Sequence, residues 1–88
     1  MADMMEVKTL KDTVSKMCSD DYKERFKAEY HQLRIRCDGL KKMLFKWDVG
    51  ELDFKPTCPR SLYTLQLDSM ELYLAVLEAR AGIEGVIL

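Results

Sequence analysis

The side chains able to do covalent or acid–base chemistry are few in this 88-residue chain, and their spacing limits what they can do. One histidine, His31, lies between Tyr30 and Gln32. Nucleophilic catalysis needs a nucleophile, a base within hydrogen-bond reach and a group that orients the base. A lone imidazole beside no serine elbow gives none of these, and His31 reads as an exposed or edge residue. Cys58 stands between Thr57 and Pro59 with no basic cluster to lower its pKa, so packing within its loop is expected. Asp68, Glu71 and Glu78 recur at helical spacing, the pattern of a solvated face rather than an acid–base pair. GxGxxG, Walker and HExxH strings do not occur. The three cysteines, Cys18, Cys37 and Cys58, have no CxxC spacing, which fits reduced thiols, and a tetrahedral metal site needs about four ligands. The expectation is no enzyme, no metal and no cofactor.

Binding chemistry is better represented. Tyr30 and Arg34 are one helical turn apart, and Gln66, Ser69, Tyr73 and Arg80 form a hydrogen-bonding stripe between two apolar faces. Arg60 and Thr64 open the last helix beside a stiff segment holding Thr57. Free amides at a helix start, an arginine and nearby aromatic rings suit a small phosphorylated, base-containing ligand: the arginine forks onto phosphate while a ring stacks on the base. The competing reading is equally physical. Arg60 and Arg80 would pair with carboxylates across a helix interface, and the aromatic rings would be core.

These residues are positioned by helices. Tyr22, Phe26, Tyr30, Leu33, Cys37, Leu40, Leu44 and Trp47 recur at steps of three and four, a sustained seam predicting one long helix over residues 20–48, about 43 Å in length. Ser19, Asp20 and Asp21 read as its N-cap and acidic first turn, and Gly50 as its left-handed stop. Its outer faces mix bases and acids, with pairs such as Glu24 and Lys27 at helical spacing. Gly39 within it would allow close approach of a neighbour.

Residues 49–59 form the connection, stiffened by Lys55-Pro56 and Cys58-Pro59, with Leu52 and Phe54 expected to pack down on the helices. A second long helix is predicted over 60–84, and residues 85–88 form an apolar tail expected to dock. Residues 1–19 carry a weaker apolar stripe, Met5, Val7, Leu10, Val14 and Met17, read as a shorter N-terminal helix or arm.

The helix over 60–84 has two apolar stripes. Leu62, Leu65, Leu72, Val76, Ala79 and Ile83 make one; Tyr63, Leu67, Met70, Leu74, Leu77 and Ala81 make the other. One partner helix covers only one stripe, so the second must meet another helix or another subunit. Leu74 is expected on the face between subunits. The fold expected is a single all-α domain: an antiparallel helical hairpin with a shorter N-terminal helix, assembled as a homo-oligomer.

Composition narrows the functional class. Net charge is −1, which argues against a nucleic-acid footprint over the whole surface, and the mixed charges of the long helix argue against a local one. No run approaches the roughly 18–20 apolar residues of a membrane span. Met1–Met5 lacks the basic start of a signal peptide, so a cytoplasmic protein is expected.

The string DYKERFKAEYHQLRIRCDGLKKML, then LDFKPTCP, then Gln66, Met70, Tyr73, Leu77-Glu78, Arg80-Ala81 and Glu84-Gly85 resembles small helical proteins of phages and prophages of gut bacteria, related to crAss-like phages. The resemblance covers residues 20–88. The pattern is also loosely similar to phage sponge proteins, non-catalytic oligomers that sequester cyclic oligonucleotide or related nucleotide second messengers of bacterial immunity in pockets between subunits. The implied function is anti-defence sequestration in the infected host. The implied ligand contacts are Tyr30 and Tyr73 for stacking, Arg34 and Arg60 for phosphate, Thr57 and Gln66 for base or ribose, and Arg25 from a neighbouring subunit. The alternative is a helical protein-interaction module that inhibits a host protein or scaffolds a phage assembly.

Overall fold

A computed structural model describes residues 7–88; Met5 of the N-terminal stripe lies outside them. The described residues are helical and contain no strand. A 3-10 turn, Leu10–Thr13, runs into a single α-turn, α1 (Val14–Met17); two long helices follow, α2 (Tyr22–Asp48) and α3 (Arg60–Glu84).

Local chemistry sets the boundaries of the long helices. The Asp21 carboxylate accepts from the Lys23 amide at 2.9 Å and caps α2, while the Ser19 hydroxyl accepts from the Asp21 amide at 3.0 Å. At its other end Gly50 takes φ 76°, and the Glu51 amide reaches back to the Lys46 carbonyl at 2.8 Å. Pro59 precedes α3 in extended conformation with no side-chain cap. Gly85, at φ 72°, ends α3 and turns Val86 back so that its amide donates to the Ala81 carbonyl at 2.9 Å.

Side chains at the ends of α2 and α3 fix how they lie together. The Tyr22 hydroxyl, at the start of α2, donates to Glu84 at the end of α3. Arg60, first in α3, forks onto Asp48, last in α2. The start of α2 is thus tied to the end of α3, and the end of α2 to the start of α3. Their core is Phe26, Tyr30 and Cys37 from α2 against Leu74, Leu77 and Ala81 from α3, with Leu33, Leu67 and Met70 packed around it. Val86 completes the cluster, so one tail residue docks, whereas Ile87 is exposed.

This packing selects between the two stripes of α3. The stripe holding Leu74 and Leu77 faces α2, so Leu74 is monomer core and not a contact between subunits. The stripe of Leu62, Leu65, Leu72, Val76 and Ile83 has no partner among the described residues; Leu72 is 68% exposed and Ile83 86%. The α2 seam also thins toward its first turn, where Tyr22 is exposed.

The N-terminal segment forms two short turns rather than a sustained helix, and Leu10, Val14 and Met17 are exposed. It is held instead by Thr13, fully buried, whose hydroxyl donates to the Leu10 carbonyl at 2.7 Å and accepts from Gln32 on α2 at 3.2 Å. A burial pattern based on apolar residues alone misses such an anchor. In the 49–59 connection Leu52 is partly buried, but Phe54 and Cys58 are exposed instead of packed down.

Candidate functional site

The seven residues expected to contact a ligand fall into separate places. Tyr30 and Arg34 meet on one edge of the α2–α3 interface. The Tyr30 hydroxyl donates to Glu78 of α3 at 2.7 Å and accepts from Arg34 at 3.0 Å. Burial and the Glu78 carboxylate raise the Tyr30 phenol above its ordinary range, so it remains a neutral donor. Its ring lies in the core, which leaves the Arg34 guanidinium as the solvent-facing part of the pair.

Tyr73 sits on a different surface, where its hydroxyl donates to Glu29. There Glu29, Gln32, Leu33, Arg36 and Tyr73 line a groove of about 190 Å³. Arg36 makes no ion pair among the described residues and Tyr73 is 44% exposed, so a free guanidinium, an amide and an aromatic face share one depression. This is the combination that a phosphate bearing a planar base would meet. Arg36 and Gln32 were not singled out by sequence reasoning. The usable signal was their i,i+4 spacing on α2, one residue off the apolar seam at Leu33 and Cys37.

Arg60 and Thr57 lie near the connection, about 20 Å along α3 from Tyr73 at 1.5 Å per residue. Arg60 donates to both oxygens of Asp48, at 3.2 and 3.1 Å, and to the Thr64 hydroxyl at 2.6 Å, with its guanidinium 5.9 Å from the centre of the Trp47 ring. Trp47 in turn meets Tyr63 edge to face. Arg60 thus joins the ends of α2 and α3, the structural role weighed above. Thr57 is exposed. Gln66, also exposed, lies between the Arg60 and Tyr73 positions on α3.

Arg25 donates to the Ser19 carbonyl at 2.8 Å, tying the start of α2 to the segment before it. Arg80 is likewise engaged: it pairs with Glu84 at 2.8 Å and lies 4.7 Å above the Phe26 ring. That pairing, with the Tyr22 hydroxyl, holds the Glu84 carboxyl below the usual range. Within one chain, then, the Tyr30–Arg34 pair, Tyr73 and Arg60 each have a different set of partners, and Arg25 is engaged by the Ser19 carbonyl.

Among the described residues no cluster of His, Cys, Asp or Glu is arranged to hold a metal ion, and no helix is long and apolar enough to cross a membrane. His31 is half-buried, and burial, with Lys16 and Lys27 nearby, lowers its pKa below the usual imidazole value.

A family model described as Sequestin matches residues 20–83, which is most of the chain and takes in both long helices. No curated protein and no solved structure matches.

Proposed function

The chain belongs to the Sequestin family, and on that premise we propose that it is a phage-encoded anti-defence protein that binds and sequesters a nucleotide second messenger of bacterial immunity without cleaving it. The observation that carries this reading is the family match over residues 20–83, whose name describes sequestering. The matched span contains all seven candidate contacts and the groove at Tyr73. Its setting is the cytoplasm of the infected host, and its working form is a homo-oligomer of antiparallel hairpins.

In this reading Tyr73 and Gln66 contact the base or ribose and Arg36 in the same groove takes phosphate. Arg34 and Arg60 add phosphate contacts by exchanging their carboxylate partners, Thr57 and the Tyr30 hydroxyl supply hydrogen bonds, and Arg25 comes from a neighbouring copy. The spread of these residues along one chain supports an oligomer, because a ligand could meet several of them only where copies adjoin.

The test is native mass spectrometry of protein purified from cells, and again after incubation with cyclic di- and trinucleotides and cyclic ADP-ribose isomers. Expected is a stoichiometric mass shift released intact by heating. Protein that stays ligand-free across the panel removes the reading. A second reading is favoured by the exposed apolar stripe of α3: an interaction module that inhibits a host protein or scaffolds a phage assembly. It predicts co-purification of one protein at fixed stoichiometry and no small-molecule shift.

A further inference from the structure

The unpartnered stripe of α3 has a register that a merely exposed apolar patch need not have. Leu62, Ser69, Val76 and Ile83 fall seven residues apart, and Leu65, Leu72 and Ala79 interleave with them at steps of three and four. This is a heptad seam running the length of the helix, with Leu62, Ser69, Val76 and Ile83 at a positions and Leu65, Leu72 and Ala79 at d. All of it lies on the face turned away from α2. The single polar member, Ser69, donates its hydroxyl to the Leu65 carbonyl of its own helix at 2.9 Å, so burial would leave no donor unmet.

We infer that this face packs against the same face of a second copy, α3 against α3, as a two-stranded coiled coil. A 3.5-residue repeat keeps its stripe in contact only with a helix that winds around it, and a second copy carries the same repeat. The flanks suit self-association. One flank is Ser61, Asp68, Ala75 and Gly82, mostly small, and the other is Gln66, Tyr73 and Arg80. Each flank carries a single charge, of opposite sign to the other, so two copies meet without a like-charge row. α3 has no lysine and more acids than bases, which does not suit an anionic membrane surface.

The area is adequate as well. The exposed parts of Leu62, Leu65, Leu72, Val76 and Ile83 amount to roughly 500 Å² per copy, or about 1,000 Å² across both, the lower bound for a specific interface. Pairing here also brings Gln66 and Tyr73 of each copy to the rim of the interface. The inference rests on the proposed function only for the existence of a copy–copy assembly and does not depend on the ligand.

The experiment is light scattering coupled to size exclusion on the full chain, whose protomer mass is 10.3 kDa. Expected is twice that mass for the wild type at ~100 µM. Leu72→Glu and Ile83→Glu should each give the protomer mass with unchanged far-UV circular dichroism, since both positions are exposed in the monomer. Phe45→Glu, exposed elsewhere on α2, should leave the dimer intact. A larger wild-type assembly that Leu72→Glu breaks down also bears out the seam as a contact between copies. A monomeric wild type, or an assembly that both seam variants leave intact, overturns the inference. The ligand reading fails separately: a dimer that binds no nucleotide leaves the seam standing, and a monomer that binds one leaves only the function standing.

Discussion

Tyr30 and Tyr73 both place a hydroxyl on a carboxylate of the other long helix, yet they are different kinds of residue. Tyr30 is 8% exposed with its ring in the core, and Tyr73 is 44% exposed beside a groove. Tyr30→Phe removes one partly buried hydroxyl from between Glu78 and Arg34 and should cost about 1 kcal/mol in a urea titration. His31 gives a pH signature. Burial and two lysines favour its neutral form in the folded state, so its folded pKa lies below the ordinary 6.5 of the unfolded chain. Its contribution is complete above the unfolded pKa and is lost as pH falls through the folded value, because the unfolded state takes the proton first. Stability measured from pH 7.5 to 5 should therefore decline below about pH 6.5, and His31→Gln should decline less steeply. The Glu24–Lys27 pair expected from spacing is present at 3.4 Å with Lys16 also on Glu24; being partly exposed, it adds little to stability.

At the scale of elements, the ends of helices were legible and their faces were not. Asp21, Gly50 and Gly85 act through their own neighbours along the chain, so short-range rules locate them. Gly85→Ala forces a side chain into φ 72°, and with only the Lys23 ammonium at 3.8 Å from the added methyl the cost is conformational. It should be about 1 kcal/mol, read as a lower midpoint in thermal denaturation. The two stripes of α3 are equally apolar in sequence, and only contact with α2 distinguishes them. Leu74 lies on the inner stripe, so Leu74→Asp should abolish the far-UV helical signal, whereas a merely dissociated but helical product would show that the stripe is not core. The N-terminal segment differs for a related reason: its anchor is a threonine satisfied by hydrogen bonds, and hydropathy gives such a residue no weight.

At the largest scale, the described residues of this 88-residue chain extend 42 Å in their longest dimension, and their nine buried apolar side chains leave a full face of α3 uncovered among them. If a second copy covers it, folding and association are linked, and the thermal midpoint should rise with protein concentration over a hundredfold range; a constant midpoint would indicate a monomer. The all-helical class, the two long helices and their stops, and the presence of one apolar face too many are legible from the residues in order, because periodicity and capping are properties of neighbouring residues. The sequence also held the residues that match the Sequestin family. Contact between helices is what sets which α3 stripe is buried, that Arg60 bonds to Asp48 and Tyr30 to Glu78, and that Arg36, beside Tyr73, makes no ion pair among the described residues. Those outcomes depend on the rotation of one helix about its axis against another, and at 100° per residue the two stripes of α3 lie roughly 150° apart, so turning α3 by somewhat less than half a turn would exchange core for surface without changing a single local preference.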